Sequence, residues 1–182
     1  MIEVKEAPPK ELLLLLYEHV IDFAFYTIQE RDNHYLYHHL MQEEIVLCAS
    51  PDKNFHSIAQ EKEGFLYPWI DLKQLENECF LLVSDNWHSG RAARKYMAEA
   101  CIQPRKINFS IVETAVVAAS CGLGICFCLD IMIHRGLFNP TPNYFSIGST
   151  PSHTEFVLAH RKDFPLTNPF REFIRMSQEI LS

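Results

Sequence analysis

Short apolar runs alternate along the chain with longer segments whose apolar residues recur at helical spacing. The runs that predict strands are Ile2–Glu6, Ile21–Tyr26, Glu44–Ser50, Cys79–Val83, Ile107–Ser110, Ile125–Leu129 and Glu155–His160. The segments that predict helices are Glu11–Val20, Ile70–Leu75, Arg91–Cys101, a helix that begins at Ser110, and Asn168–Leu181. His34–Leu40 has neither period and reads as an irregular or helical connection. This alternation of strands and helices predicts the α/β class.

The segment Ser110–Leu129 is the clearest unit of this pattern. Ser110 and Glu113 have the spacing of a capping box, which predicts that a helix begins there. Gly122 ends that helix, because glycine readily adopts the left-handed conformation of a helix terminus. The run from Ile125 to Leu129 contains no polar residue, as expected of a strand that is covered on both faces.

Changes in composition divide the chain into two lobes. A polar stretch precedes Cys79, and a segment rich in turns, Met132–Ser152, precedes the last strand. We therefore expect lobe I to comprise residues 1–78 and 153–182, and lobe II to comprise residues 79–152.

Charge and hydropathy narrow the possible functions. The formal net charge is −7, whereas nucleic-acid surfaces need concentrated lysine and arginine. We therefore expect no direct contact with nucleic acid. Apolar runs are too short to span a membrane, and acidic residues interrupt the amino terminus where a signal peptide would be apolar. These features predict a cytoplasmic chain that does not insert into a membrane. The six cysteines include no CxxC pair, which favours reduced thiols.

The order of several motifs resembles the effector-binding domain of LysR-type transcriptional regulators. The similarity runs through IDFAF, EEIVLCASPD, WIDLKQLENECFLLV, RAARKYMAEACIQP, GLGICF and FVLAHRKDFPLTNPFREFI. It implies a type II periplasmic-binding-protein-like fold, in which two α/β lobes are joined by two crossover segments. It also implies a small effector between the lobes and a homo-oligomer, with DNA contacted only through a winged helix-turn-helix domain. That domain and the family's first strand and helix have no counterpart here, and Leu129 stands where the family usually has proline.

The residues expected to bind the effector follow the predicted strands or begin the predicted helices. Helix starts offer unpaired N–H groups, which suit an anion, and ligands of open α/β sheets lie beyond the carboxyl ends of strands. The candidates are Tyr26, Thr27, Ser84, Asn86, Trp87, Ser89, Ser110 and Thr114. Five of them have a plainer interpretation as well: Ser89 and Ser110 as helix caps, Trp87 as the filling of a groove, and Tyr26 and Thr27 as an ordinary loop.

No metal site, cofactor site or catalytic group is predicted. His34 and His38 have the i, i+4 spacing of ligands on one helix face, but no acidic or cysteine partner stands at ligand spacing. No GxSxG or other activated serine occurs. The expected function is therefore that of an effector-sensing, non-enzymatic regulatory domain that binds a small molecule, for which an anion is one candidate. The alternative is a solute-binding protein of the same fold that acts in transport, for which no signal peptide was found.

Overall fold

The computed structural model describes residues 2–28, 30–134 and 138–181, and divides the chain into two compact units. Unit 1 comprises Met1–Glu43 and Thr154–Ser182, and unit 2 comprises Glu44–His153. The helices are α1 (Pro9–Tyr17), α2 (His88–Glu99), α3 (Val112–Ser120), α4 (Ile131–His134) and α5 (Asn168–Leu181). The strands are β1 (Ala24–Ile28), β2 (Tyr35–Ala49), β3 (Cys79–Val83), β4 (Arg105–Phe109), β5 (Ile125–Leu129), β6 (Asn143–Ser146) and β7 (His153–Arg161).

The first division between the units falls inside β2 rather than before β3. Residues 44–78, which the sequence assigned to lobe I, belong to unit 2. The reason is strand pairing, because Ile45–Ala49 of β2 pair antiparallel with β5, and Val46–Ala49 also pair with β6. The second division lies between His153 and Thr154.

Unit 1 is built on β1, β7 and the first part of β2. Strand β1 pairs antiparallel with β7, and β7 lies beside β2. Helix α1 buries Leu12 and Leu16 in a cluster with Ala24 and Tyr26 of β1. Ile174 of α5 joins a separate cluster with residues of β2 and β7.

Two predictions for unit 1 are wrong. Ile2–Glu6 lies outside every strand that the structure describes, and Ile2 and Val4 are 93% and 82% exposed. An alternating segment forms a strand only where another strand hydrogen-bonds to it. His34–Leu40 is not helical, because Tyr35–Leu40 forms the first part of the 15-residue strand β2.

Unit 2 contains a sheet in which parallel and antiparallel pairs meet. Strands β4 and β5 both run parallel to β3, and β5 pairs antiparallel with β2. The predicted strands at Cys79–Val83 and Ile125–Leu129 are confirmed at those bounds. Helix α2 covers one face through Ala93, Tyr96 and Met97, while α3 covers the other.

The predicted helix, glycine turn and strand at 110–129 are confirmed, and the first residue of the helix is corrected. Gly122 ends α3 with a φ of +87°, in the left-handed region that glycine tolerates. The helix begins one residue later than expected, because Ile111 is its N-cap and makes no side-chain cap hydrogen bond. Ser110 and Glu113 therefore do not form the predicted capping box.

Candidate functional site

Two parallel strands of unit 2 end side by side, and a helix begins after each. Val83 of β3 lies opposite Phe109 of β4, the last residue of each strand. The loop that follows β3 leads into α2, and Ser110 and Ile111 lead into α3. The register therefore brings the starts of α2 and α3 to the same edge of the sheet.

The indole of Trp87 joins the two connections. Its Nε1–H donates a 3.2 Å hydrogen bond to the Ser110 carbonyl oxygen. Its backbone N–H donates to the Ser84 carbonyl at 3.1 Å, which closes a turn. The half-buried ring packs with Phe109 on the cluster that contains Val112. Trp87 is thus the residue through which the sequence candidates after β3 contact those after β4.

Two arginines of α2 hold the exposed loop in place. The Arg91 guanidinium donates to the Asp85 carbonyl, and Arg94 forms an ion pair with the Asp85 carboxylate. Arg94 also donates to the Val83 carbonyl at 3.2 Å and to the Gly90 carbonyl at 2.8 Å. Neither role was predicted from the sequence, although the positions of both arginines in the first turns of α2 place them beside the loop.

Gly90 lets the first turn of α2 approach the backbone of this loop. A Cβ atom at Gly90 would lie 2.1 Å from the Ser84 carbonyl oxygen and 2.7 Å from the Val83 carbonyl oxygen. Such distances exclude any side chain without movement of the backbone. Ser89, beside it, is only 3% exposed. It lies in α2 and is not the cap, because the N-cap position is Trp87.

Within the described part of the chain, neither helix start is capped by the side chain of its N-cap residue, which is Trp87 for α2 and Ile111 for α3. The first N–H groups of a helix have no partner within the helix, and they carry the positive end of its dipole. Ser84, Asn86, Ser110 and Thr114 are exposed around these two starts. This arrangement suits a small anion with hydroxyl or carbonyl groups.

His88 is a neutral residue of the same helix start. Burial lowers its pKa to about 4, and the nearby Arg91 charge acts in the same direction. At neutral pH the imidazole therefore adds no positive charge, and the arginines and backbone N–H groups supply the attraction for an anion.

The two candidates in unit 1 lie within β1 rather than after it. The Thr27 hydroxyl donates a 2.7 Å hydrogen bond to Oε2 of the buried Glu43. Tyr26 is 6% exposed and packs in the cluster with α1. Burial raises the pKa of the Tyr26 phenol, with a further contribution from Tyr37. Both side chains therefore serve the packing of unit 1, which corrects their assignment to a loop.

His34, singled out in the sequence, directly precedes β2, while His38 and the neighbouring His39 lie within β2, and the three have separate partners. His34 Nδ1 lies 2.7 Å from Asp32 Oδ1, and His39 Nδ1 lies 3.0 Å from Glu155 Oε1. His38 Nε2 lies 3.0 Å from His160 Nε2. Among residues 2–28, 30–134 and 138–181, no three His, Cys, Asp or Glu residues are arranged to hold a metal ion.

All six cysteines are free thiols in the structure, and Cys48, Cys126 and Cys128 are buried. No helix in the described part of the chain has the length and apolar character needed to cross a membrane.

Comparison with known proteins gives one family and a consistent set of folds. The model of the LysR substrate binding domain matches residues 1–182. No curated protein sequence matches the chain significantly.

Three solved structures have similar folds at low sequence identity. The regulatory domain of CcmR from Synechocystis PCC6803, in complex with 2-PG, has a TM-score of 0.74 at 12% identity over 94% of this chain and 79% of that one. The reduced OxyR regulatory domain from Pseudomonas aeruginosa has a TM-score of 0.71 at 17% identity, covering 97% and 79%. The effector-binding domain of QuiR, in complex with shikimate, has a TM-score of 0.66 at 19% identity, covering 96% and 78%.

Proposed function

The chain belongs to the LysR substrate-binding domain family, and we propose that it binds a small anionic effector where α2 and α3 begin. The fold is the type II periplasmic-binding-protein-like fold of LysR regulatory domains. Its function is effector sensing for transcriptional regulation, and the expectation from the sequence is confirmed at this level.

One observation carries the proposed site. Trp87 Nε1 donates to the Ser110 carbonyl, so the two helix starts, which have no side-chain cap, lie beside one another. Two such starts attract one anion more strongly than a single start, because both dipoles present positive charge to it. Ser84, Asn86, Ser89, Ser110 and Thr114 then provide the polar groups that select the effector. CcmR and QuiR were solved with 2-PG and shikimate respectively, and these complexes support a small-molecule effector for this chain.

We propose a supporting role for the candidates in unit 1. The Thr27 hydroxyl is engaged by Glu43, and Tyr26 is buried against α1. Tyr26 and Thr27 would fix the conformation of β1 within unit 1.

The proposal extends to assembly and location. A net charge of −7 disfavours binding of this chain to DNA phosphates, so regulation would act through a DNA-binding domain. LysR family membership favours a homo-oligomer in the cytoplasm without catalytic activity. Effector binding would act by favouring one of two arrangements of the protein, which requires a difference in affinity between them.

Thermal unfolding with a panel of small carboxylates and phosphate esters tests the site. We expect at least one compound to raise the melting temperature of the parent in proportion to the logarithm of its concentration. Trp87→Ala separates the two helix starts and should reduce that rise. Lys106→Ala, on β4, is the matched exposed control and should respond like the parent. An equal rise in Trp87→Ala and the parent would disprove the site, and no response to any anion would disprove an anionic effector.

A further inference from the structure

A cavity of unit 2 lies at the end of α2 opposite the proposed effector site. It has a volume of about 420 Å³, within the 300–1,000 Å³ typical of small-molecule pockets. Tyr96, Glu99 and Ala100 line it from the last turns of α2. At 1.5 Å per residue, Ala100 lies about 16 Å along the helix axis from Ser89. The cavity is therefore separate from the proposed effector site.

Two aromatic residues form a firmly held wall of this cavity. Trp69 Nε1 donates a 2.7 Å hydrogen bond to the Gly148 carbonyl, and the Trp69 backbone N–H donates to Gln60 at 2.7 Å. Tyr96 stacks on Phe127 with a centroid separation of 6.2 Å and an interplanar angle of 11°. Rings held in this way offer apolar surface at little entropic cost, because they are ordered before a ligand arrives.

Charges of both signs surround the aromatic wall. The Lys62 ammonium lies 4.2 Å from the centroid of the Trp69 ring, so this face of the indole accepts a cation. Lys73 contributes a second positive charge, and Asp71 and Glu99 contribute two negative charges, with Glu99 Oε1 also 3.9 Å from Lys95 Nζ of the same helix. One Asp71 oxygen accepts the Lys73 backbone N–H at 3.0 Å, which fixes that carboxylate at the cavity rim.

We propose that this cavity binds a free α-amino acid in its zwitterionic form. A simple anion would meet the carboxylates of Asp71 and Glu99, and a simple cation would meet the two lysines. A zwitterion satisfies both pairs: its carboxylate lies against Lys62 and Lys73, and its ammonium lies near Asp71 and Glu99. The ligand's side chain lies against the apolar surface of Trp69.

The chain contains two tryptophans, and they report separately on the two sites. Protein labelled with 5-fluorotryptophan gives one ¹⁹F resonance for Trp69 and one for Trp87, assigned with Trp69→Phe and Trp87→Phe. We expect L-phenylalanine, L-leucine or L-glutamine to move the Trp69 resonance to a saturating value while Trp87 stays unchanged. The proposal is overturned if none of the three moves Trp69 up to 20 mM, or if they move only Trp87.

Matched probes and variants test the role of the two charges. The compounds 3-phenylpropionate and 2-phenylethylamine keep the ring of phenylalanine and lack its ammonium or its carboxylate. We expect both to bind more weakly than the amino acid that moves Trp69. Lys73→Gln and Glu99→Gln should each weaken its binding about two- to fivefold, whereas Lys106→Gln, outside the cavity, should not. Equal affinity for amino acid and analogues, or equal losses in all three variants, would refute recognition of a zwitterion.

Discussion

The Trp87 indole and the Ser110 backbone carbonyl are joined by a 3.2 Å hydrogen bond across 23 residues of sequence. Replacement of Trp87 by Phe removes this bond and keeps most of the ring contacts. We expect a loss of about 1 kcal/mol in the free energy of unfolding, the usual contribution of one hydrogen bond. Urea unfolding of parent and variant measures the loss. Leu123→Ala, at an exposed position after α3, is the control and should stay within about 0.5 kcal/mol of the parent. A Trp87→Phe variant as stable as that control would contradict the prediction.

Gly90 should be the least tolerant position of α2. In Gly90→Ala the new methyl group would lie 2.1 Å from the Ser84 carbonyl oxygen, so the helix start and the loop must move apart. We expect destabilisation of about 2 kcal/mol or more, measured by thermal and urea unfolding. The control is Ala98→Gly, an exposed position of the same helix, which should cost about 1 kcal/mol from helix propensity alone. If Gly90→Ala proves the milder of the two changes, the close approach is not a constraint.

His88 should make unfolding depend on pH in a defined window. Burial lowers its folded-state pKa to about 4 from the ordinary histidine value of 6.5. The unfolded chain therefore binds more protons than the folded chain between these two pH values. The free energy of unfolding consequently decreases as the pH falls from 6.5 towards 4. We expect His88→Gln to flatten the dependence of unfolding free energy on pH in this window. The exposed His56→Gln is the control, and identical slopes for the parent and His88→Gln would count against the prediction.

Thr27 and Glu43 form the shortest buried side-chain hydrogen bond described in unit 1, at 2.7 Å. Thr27→Val keeps the shape of the side chain and removes the donor. We expect a cost of about 1–3 kcal/mol, because a buried carboxylate loses a donor. Thr114→Val, at an exposed position of α3, should change the unfolding free energy by less than about 0.5 kcal/mol. Equal effects of the two substitutions in chemical denaturation would show that the bond contributes nothing.

Elements with a strong local signal were predicted best from the sequence. The fully apolar run at Ile125–Leu129 and the helix at Asn168–Leu181 have their predicted bounds, because the first is covered on both faces and the second is strongly amphipathic. Ile2–Glu6 and Tyr35–Leu40 were misread, since pairing with a distant strand decides whether a segment becomes a strand. Such pairing depends on residues more than a hundred positions away, as between β2 and β7.

The candidate site was predicted as a set of loops and helix starts, and not as a set of contacts. The polar residues at 84–89 and the helix start after Ser110 were identified from their types and positions. The bond between Trp87 and Ser110 depends on the register of β3 and β4, in which Val83 lies opposite Phe109. The register of β3 and β4 could not be predicted from this one sequence. The roles of Arg94 and Gly90 follow from the same approach of helix and loop.

Strand β2 has a consequence for how the chain folds. Its 15 residues contribute Tyr35 and Leu40 to the two clusters of unit 1, and Ile45 and Val46 to the two clusters of unit 2. Each of the four clusters is therefore incomplete until this one strand is in place. A cut between Glu43 and Glu44, where the two units meet along the chain, would divide this strand, so neither unit can be excised with the whole of β2 unless it takes residues of the other.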